Sequence, residues 1–133
     1  MSRAVAIVGA SRERAKYGNK AVRAHRQIGD RVYPVHPREK EIEGLPVFTN
    51  LRAIPGPIDR VLLYVPAGVG IALLEEIAER RPVELFLSPG SESPELIRRA
   101  RELGLEPVEC CPIRAIGIDP ATLDDDAADG ARA

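Results

Sequence analysis

Tryptophan is absent, aromatic residues make up only 4% of the chain, and the two cysteines, Cys110 and Cys111, are neighbours. Adjacent cysteines close a strained ring that ties nothing distant together, so the sequence predicts free thiols rather than a disulfide framework. His25 and His36 are the only histidines, and with the cysteine pair they form no ligand set at zinc spacing, so no metal site is expected. No apolar run nears the roughly 20 residues of a membrane-spanning helix. The run that follows Met1-Ser2-Arg3 is broken early by Gly9, which leaves no h-region for a secretory signal. The expectation is a cytoplasmic protein without a membrane role.

A large charge excess is also missing. The formal net charge of −1 argues against general nucleic-acid binding, which needs a basic surface. The average hides a gradient, however. Nine Lys or Arg lie between Arg12 and Lys40 against Glu13, Asp30 and Glu39, while the end carries Asp119, Asp124, Asp125, Asp126 and Asp129. The positive field is local. Arg23 and Arg26 are read as a solvated helix face, and Glu75, Glu76, Glu79 and Glu84 as solvated helix and strand edges.

What is present is one domain's worth of chain, 133 residues with 44% hydrophobic side chains, enough for a single core. Short apolar runs alternate with amphipathic patterns. Strands are predicted at 4–8, 31–35, 60–65, 83–87 and 106–108, helices at 19–28, 70–80 and 94–103, and a short edge piece at 44–50. The stretch NLRAIP reads as one helical turn capped by Asn50. Near-continuous apolar strands separated by helices imply an α/β, Rossmann-like, doubly wound, mainly parallel five-stranded sheet with helices on both faces. Residues 1–119 are assigned to this domain and 120–133 to an acidic, mobile tail, since few large apolar residues follow Pro120.

Ligands of such sheets bind outside the carboxyl ends of the strands. That selects the loops 9–18, 36–42, 66–70 and 88–93. After the first strand, Gly9-Ala10-Ser11 offers a turn through which backbone can approach an anion, and Ser11 adds a hydroxyl. The loop fails the dinucleotide fingerprint, which needs glycine where Ser11 and Arg14 stand, and fails the P-loop spacing. On this loop alone, a phosphate site and a simple tight strand exit weigh equally. After the second strand, where an acidic residue holds the ribose of NAD, stand His36, Pro37, Arg38, Glu39 and Lys40. Bases there suit a phosphorylated ribose, that of coenzyme A or of NADP; a solvated charged turn is the bland reading.

Four motifs in order, VAIVGAS, DRVYPVHP, RVLLYVPA and LSPG, resemble the small stand-alone CoA-binding domain proteins. Their fold is similar to the CoA-binding domain of the succinyl-CoA synthetase alpha subunit and of ADP-forming acyl-CoA synthetases. The resemblance runs from about residue 3 to 113. It implies that CoA lies across the strand ends, with Gly9, Ala10 and Ser11 matching the family's Gly-Ala-Ser loop and Lys16 at a position often basic. Arg12 and Tyr17 of the same loop join the cofactor-binding set. Val35, Pro37, Arg38 and Lys40 match the segment after the second strand, with His36 where the family more often has Asn. Val65 and Pro66 match a step along the adenine and pantetheine, and Pro89-Gly90 a turn near the pantetheine arm.

No catalytic residue is assigned. The phosphorylated histidine and nucleotide-grasping parts of succinyl-CoA synthetase have no counterpart after Pro120, and His25 reads as a packed histidine. Cys110 and Cys111 read as small buried residues, although a thiol near the CoA sulfur could exchange into a mixed disulfide. The expected function is binding of CoA or a short acyl-CoA as a non-catalytic or accessory module. The alternatives are an NADP-dependent reductase or a synthetase fragment with a separate partner subunit, and an interaction module with a vestigial nucleotide site. Homodimerisation stays open.

Overall fold

The computed structural model describes residues 2–125. Its centre is a five-stranded, all-parallel sheet built from β1 (Ala4–Val8), β2 (Arg31–Val35), β5 (Arg60–Leu63), β6 (Glu84–Leu87) and β7 (Pro107–Glu109), in the order β2-β1-β5-β6-β7. Between them run α1 (Tyr17–Gln27), α2 (Ala67–Arg80) and α3 (Pro94–Glu102), followed by a short α4 (Pro112–Ala115). The sheet is therefore doubly wound, as the alternation of patterns predicts.

Burial of β1 on both faces follows from its sequence, since side chains alternate across a strand. Ala6 and Val8 join the core that also contains Leu74, Ile77 and Leu96 from α2 and α3. Val5 and Ile7 join the opposite core with Ala21, Val22 and Ala24 of α1 and Ile113 of α4. β5 and β6 divide in the same way, Val61, Leu63, Leu85 and Leu87 to the first core and Leu62 and Phe86 to the second. His25 is fully buried, and its Nδ1 lies 2.8 Å from the Ala21 carbonyl oxygen, in keeping with a packed histidine.

The expected edge piece at 44–50 is a two-stranded antiparallel hairpin, β3 (Glu41–Ile42) with β4 (Leu45–Pro46). Glu43 and Gly44 both have positive φ, 51° and 79°, as the tight hairpin turn requires. Phe48 then lies beside Val35 as a parallel bridge. Leu51–Ala53 is a single 3-10 turn, and the Asn50 side chain caps it by accepting from the Ala53 amide at 3.0 Å.

α2 starts three residues before the expected 70. Gly70, the first residue of the predicted helix, is where α2 presses on α3: a Cβ there would stand 2.9 Å from Leu96 Cδ1. The boundary at 119 also shifts. Pro120–Thr122 forms a 3-10 turn capped by Asp119, and Leu123 is 5% exposed within the α1 core. Residues 120–125 thus belong to the fold, because one leucine among acidic residues is enough to dock the segment; the remainder of the expected tail, 126–133, lies outside the described residues. Arg23 is likewise no solvated residue, since its guanidinium donates to Asn19 Oδ1 and to the Arg14 carbonyl, both at 2.8 Å.

Candidate functional site

The strand order reverses at β1: the chain leaves β1 for β2 on one side and then crosses back to β5 on the other, and this is where a crevice opens at the carboxyl ends of a doubly wound sheet. Gly9 stands there with φ of 89°, and its amide donates to the Val35 carbonyl at 3.1 Å. A Cβ on Gly9 would lie 2.6 Å from the Tyr64 carbonyl oxygen, and one on Gly18 would fall on the Gly9 carbonyl oxygen. Glycine at both positions lets α1 press its N-terminus against the exit of β1. The Ser11 carbonyl accepts from Asn19 Nδ2 at 2.8 Å, and the fully buried Asn19 fixes the loop to the helix.

The cleft so formed has a volume of about 690 Å³. Two helices begin on it, α1 after Lys16 and α2 after Pro66, and neither has a side-chain cap or an acidic residue in its first turn. By contrast α3 starts away from the cleft and is capped by Ser93, which accepts from the Leu96 amide at 3.0 Å. Uncapped helix N-termini carry partial positive charge and backbone donors. Two of them beside a glycine turn make an anion cradle.

The structure brings twelve of the residues expected from sequence to this cleft: Gly9, Ala10, Ser11, Lys16, Tyr17, Val35, His36, Pro37, Val65, Pro66, Pro89 and Gly90. Arg12, Arg38 and Lys40 line a neighbouring polar hollow instead, together with Arg14, Glu39 and Glu43. The basic cluster is thereby split. Lys16 faces the cleft, its ammonium 2.7 Å from Glu13, while Arg12 lies 3.9 Å from Glu39 in the hollow.

His36 has a defined role. Its Nδ1 accepts from the amides of Arg38 and Glu39, both at 3.0 Å, which assigns the proton to Nε2 and makes that nitrogen a donor. The ring thus organises the turn after β2 as an Asn side chain would.

Sequence reasoning missed several lining residues. Ser88 and Ser91 are buried and donate to the carbonyls of Leu63 at 2.7 Å and Val65 at 2.6 Å, tying the loop after β6 to the exit of β5. Glu76, expected at a solvated edge, accepts from the Leu51 amide at 2.7 Å and holds the rim at 49–51 onto α2. The signal for the serines was their place in the LSPGS turn; nothing local marked Glu76. Cys110 and Cys111 are free and half-buried, and burial pushes the Cys110 thiol up from its ordinary range.

Comparison with known proteins shows the family to which this architecture belongs. The model of the CoA binding domain matches residues 3–132. The chain belongs to this CoA-binding domain family. It is 34% identical over 65 residues to the alpha subunit of an ADP-forming acetate–CoA ligase II of Pyrococcus furiosus, and 35% identical over 80 residues to ADP-forming acetate–CoA ligase I of Archaeoglobus fulgidus. Those matches cover 48% and 60% of this chain but only 14% and 12% of the relatives, so the chain spans a small part of their length. A solved conserved hypothetical protein of Pyrococcus furiosus superimposes with a TM-score of 0.79 at 34% identity, covering 85% of this chain and 98% of that one. The dinucleotide-forming acetyl-coenzyme A synthetase 1 of Ca. Korarchaeum cryptofilum superimposes with a TM-score of 0.65 at 26% identity, covering 78% of this chain and 25% of that one. This CoA-binding domain is thus similar both to stand-alone proteins and to one part of larger synthetases. Among the described residues no helix is long and apolar enough to cross a membrane, and no group of three or more His, Cys, Asp or Glu stands in position to hold a metal ion.

Proposed function

We propose that the cleft binds coenzyme A or a short acyl-CoA, and that the domain acts in the cytoplasm as a non-catalytic or accessory module. The observation that carries this reading is the meeting of two uncapped helix N-termini around Gly9 at the reversal of strand order. The pyrophosphate belongs against Gly9, Ala10, Ser11 and the start of α1, where backbone donors and the helix dipole favour negative charge. Val35 and the His36 Nε2–H face the adenosine, and Val65, Pro66, Pro89 and Gly90 give an apolar track for the pantetheine. Lys16 supplies the cation within the cleft. A ribose phosphate directed past His36 and Pro37 would meet Arg38, Lys40 and Arg12 in the neighbouring hollow.

A binding role rather than phosphoryl transfer is supported by both histidines. His25 is enclosed by the core, and His36 uses Nδ1 to hold its own turn.

Calorimetry with CoA, dephospho-CoA, NADP and NAD tests the proposal. CoA should bind, and loss of the 3′-phosphate should weaken binding about tenfold or more, as removal of a charge-assisted contact of ~1.5–3 kcal/mol implies. Lys16→Ala should weaken CoA binding and reduce its salt dependence. Heat from NADP but not from CoA, or from none of the four, overturns the reading.

A further inference from the structure

The polar hollow beside the cleft, about 1490 Å³ in volume, has residues 122–125 in its wall. Six cations line it, Arg12, Arg14, Arg23, Arg26, Arg38 and Lys40, and six carboxylates stand with them, four from glutamates and two from Asp124 and Asp125. The glutamates belong to the same loops as the cations and pair with them, Arg12 at 3.9 Å from Glu39 and Arg14 at 3.8 Å from Glu43. The two aspartates arrive on a separate segment. With them in place the hollow is formally neutral, and without them it is doubly positive.

That segment is built to come and go as a unit. Its 3-10 turn is held by its own groups: the amides of Ala121 and Thr122 donate to Oδ1 and to the carbonyl of Asp119 at 2.9 and 3.0 Å, and the Leu123 amide donates to the Pro120 carbonyl at 3.1 Å. Leu123 packs in the α1 core, and Asp125 accepts from the Lys20 ammonium at 2.7 Å. The Asp125 side chain is 64% exposed, so water competes for this ion pair and weakens it. A short segment docked through so little buried surface opens more readily than the sheet it lies beside. The aspartates also act inside the hollow: burial and Arg14 lower the Arg23 pKa, and the charges of Glu43, Asp124 and Asp125 partly offset them.

We propose that residues 120–125 form an acidic strap that competes with the ribose phosphate of the ligand for the cations of the hollow. Docked, the strap cancels the positive field that the phosphate needs; displaced, it leaves that field free. This rests on the CoA reading of the cleft and adds regulation to it. By linkage, a ligand that carries the 3′-phosphate must loosen the strap by the same factor by which the strap weakens that ligand. For a dianion and two carboxylates about 10 Å apart in a water-like medium, the factor is roughly fivefold at low ionic strength and nearly vanishes in about 0.5 M salt.

Calorimetry of CoA and dephospho-CoA with wild type, Asp124→Asn, and the double variant Asp124→Asn with Asp125→Asn tests the strap. The single variant leaves the Lys20 pair intact and guards against loss of fold in the double one. At low ionic strength CoA should bind the double variant roughly fivefold and the single variant about twofold tighter than wild type, with the gain lost in about 0.5 M salt. Dephospho-CoA should gain less than CoA in both. Hydrogen exchange gives a readout that a merely structural segment would not move: CoA should speed exchange at the Thr122 and Leu123 amides of wild type, and dephospho-CoA should not. CoA affinity equal or weaker in both variants, an equal gain for the two ligands, or Thr122 and Leu123 exchange unchanged or slowed by CoA overturns the strap while leaving CoA binding intact. CoA binding to the double variant but not to wild type upholds it. Failure of CoA to bind any of the three proteins removes the cleft reading and the strap together.

Discussion

Three glycine-to-alanine changes separate the close approach at the strand exit from glycine's general effects. Gly68 lies in the first turn of α2, and nothing stands within 4 Å of where its Cβ would go. Gly68→Ala should therefore be neutral or stabilising by up to ~1 kcal/mol, the helix-propensity difference. Gly18 lies in the first turn of α1, but its Cβ would land on the Gly9 carbonyl oxygen, and backbone cannot swing aside as a side-chain end can. Overpacking of that kind costs about 1–3 kcal/mol, so Gly18→Ala should be net destabilising despite the same propensity gain. Gly9→Ala combines two penalties. Its φ of 89° is a left-handed conformation that costs an L residue ~1–2 kcal/mol, and its Cβ would stand 2.6 Å from the Tyr64 carbonyl oxygen. Adding about 1–3 kcal/mol for the overlap gives a loss of roughly 2–5 kcal/mol, large against the ~5–15 kcal/mol stability of a typical domain. Urea unfolding of the three variants checks the order, which should be Gly68→Ala above Gly18→Ala above Gly9→Ala. Calorimetry on the folded fraction should show CoA binding weakened in the last two. Stabilities of Gly9→Ala and Gly18→Ala equal to that of Gly68→Ala would refute the argument that α1 and β5 close tightly on the exit of β1.

Two further outcomes concern the scaffold. His25 has its pKa lowered, chiefly by burial, so the unfolded chain takes up that proton first as pH falls below about 6.5. Stability is then full above pH 6.5 and declines below it until the folded-state pKa is reached, by no more than about 1.4 kcal/mol between pH 7.5 and 5.5; urea unfolding of wild type and His25→Gln at both pH values isolates the contribution, and parallel profiles would disprove it. Arg80 donates to the carbonyls of Leu51 at 2.8 Å, Ile54 at 2.9 Å and Gly56, so Arg80→Met should cost about 1–2 kcal/mol and speed hydrogen exchange at the Ala53 and Ile54 amides, with unchanged exchange contradicting an anchoring role.

The sequence by itself determined the sheet and most of the cleft. Strands such as AVAIV carry no polar position and must be covered on both faces, and that requirement with the alternating helices leads to a doubly wound sheet with a cleft at its strand ends. Hence Gly9, Ser11, His36 and Pro66 were legible as rim residues, as was the capping role of Asn50. Only the tertiary structure decided which neighbours share a space. Arg38 and Lys40 follow β2 closely in sequence, yet they line a different hollow from His36 and Pro37, because the His36 ring and the hairpin after it redirect the chain. The docking of Leu123 and the anchoring work of Glu76 and Arg80 depend on contacts between segments tens of residues apart, for example 25 positions between Glu76 and Leu51. Local periodicity reports which face of an element is apolar; it holds no information about what a long-range partner places against that face.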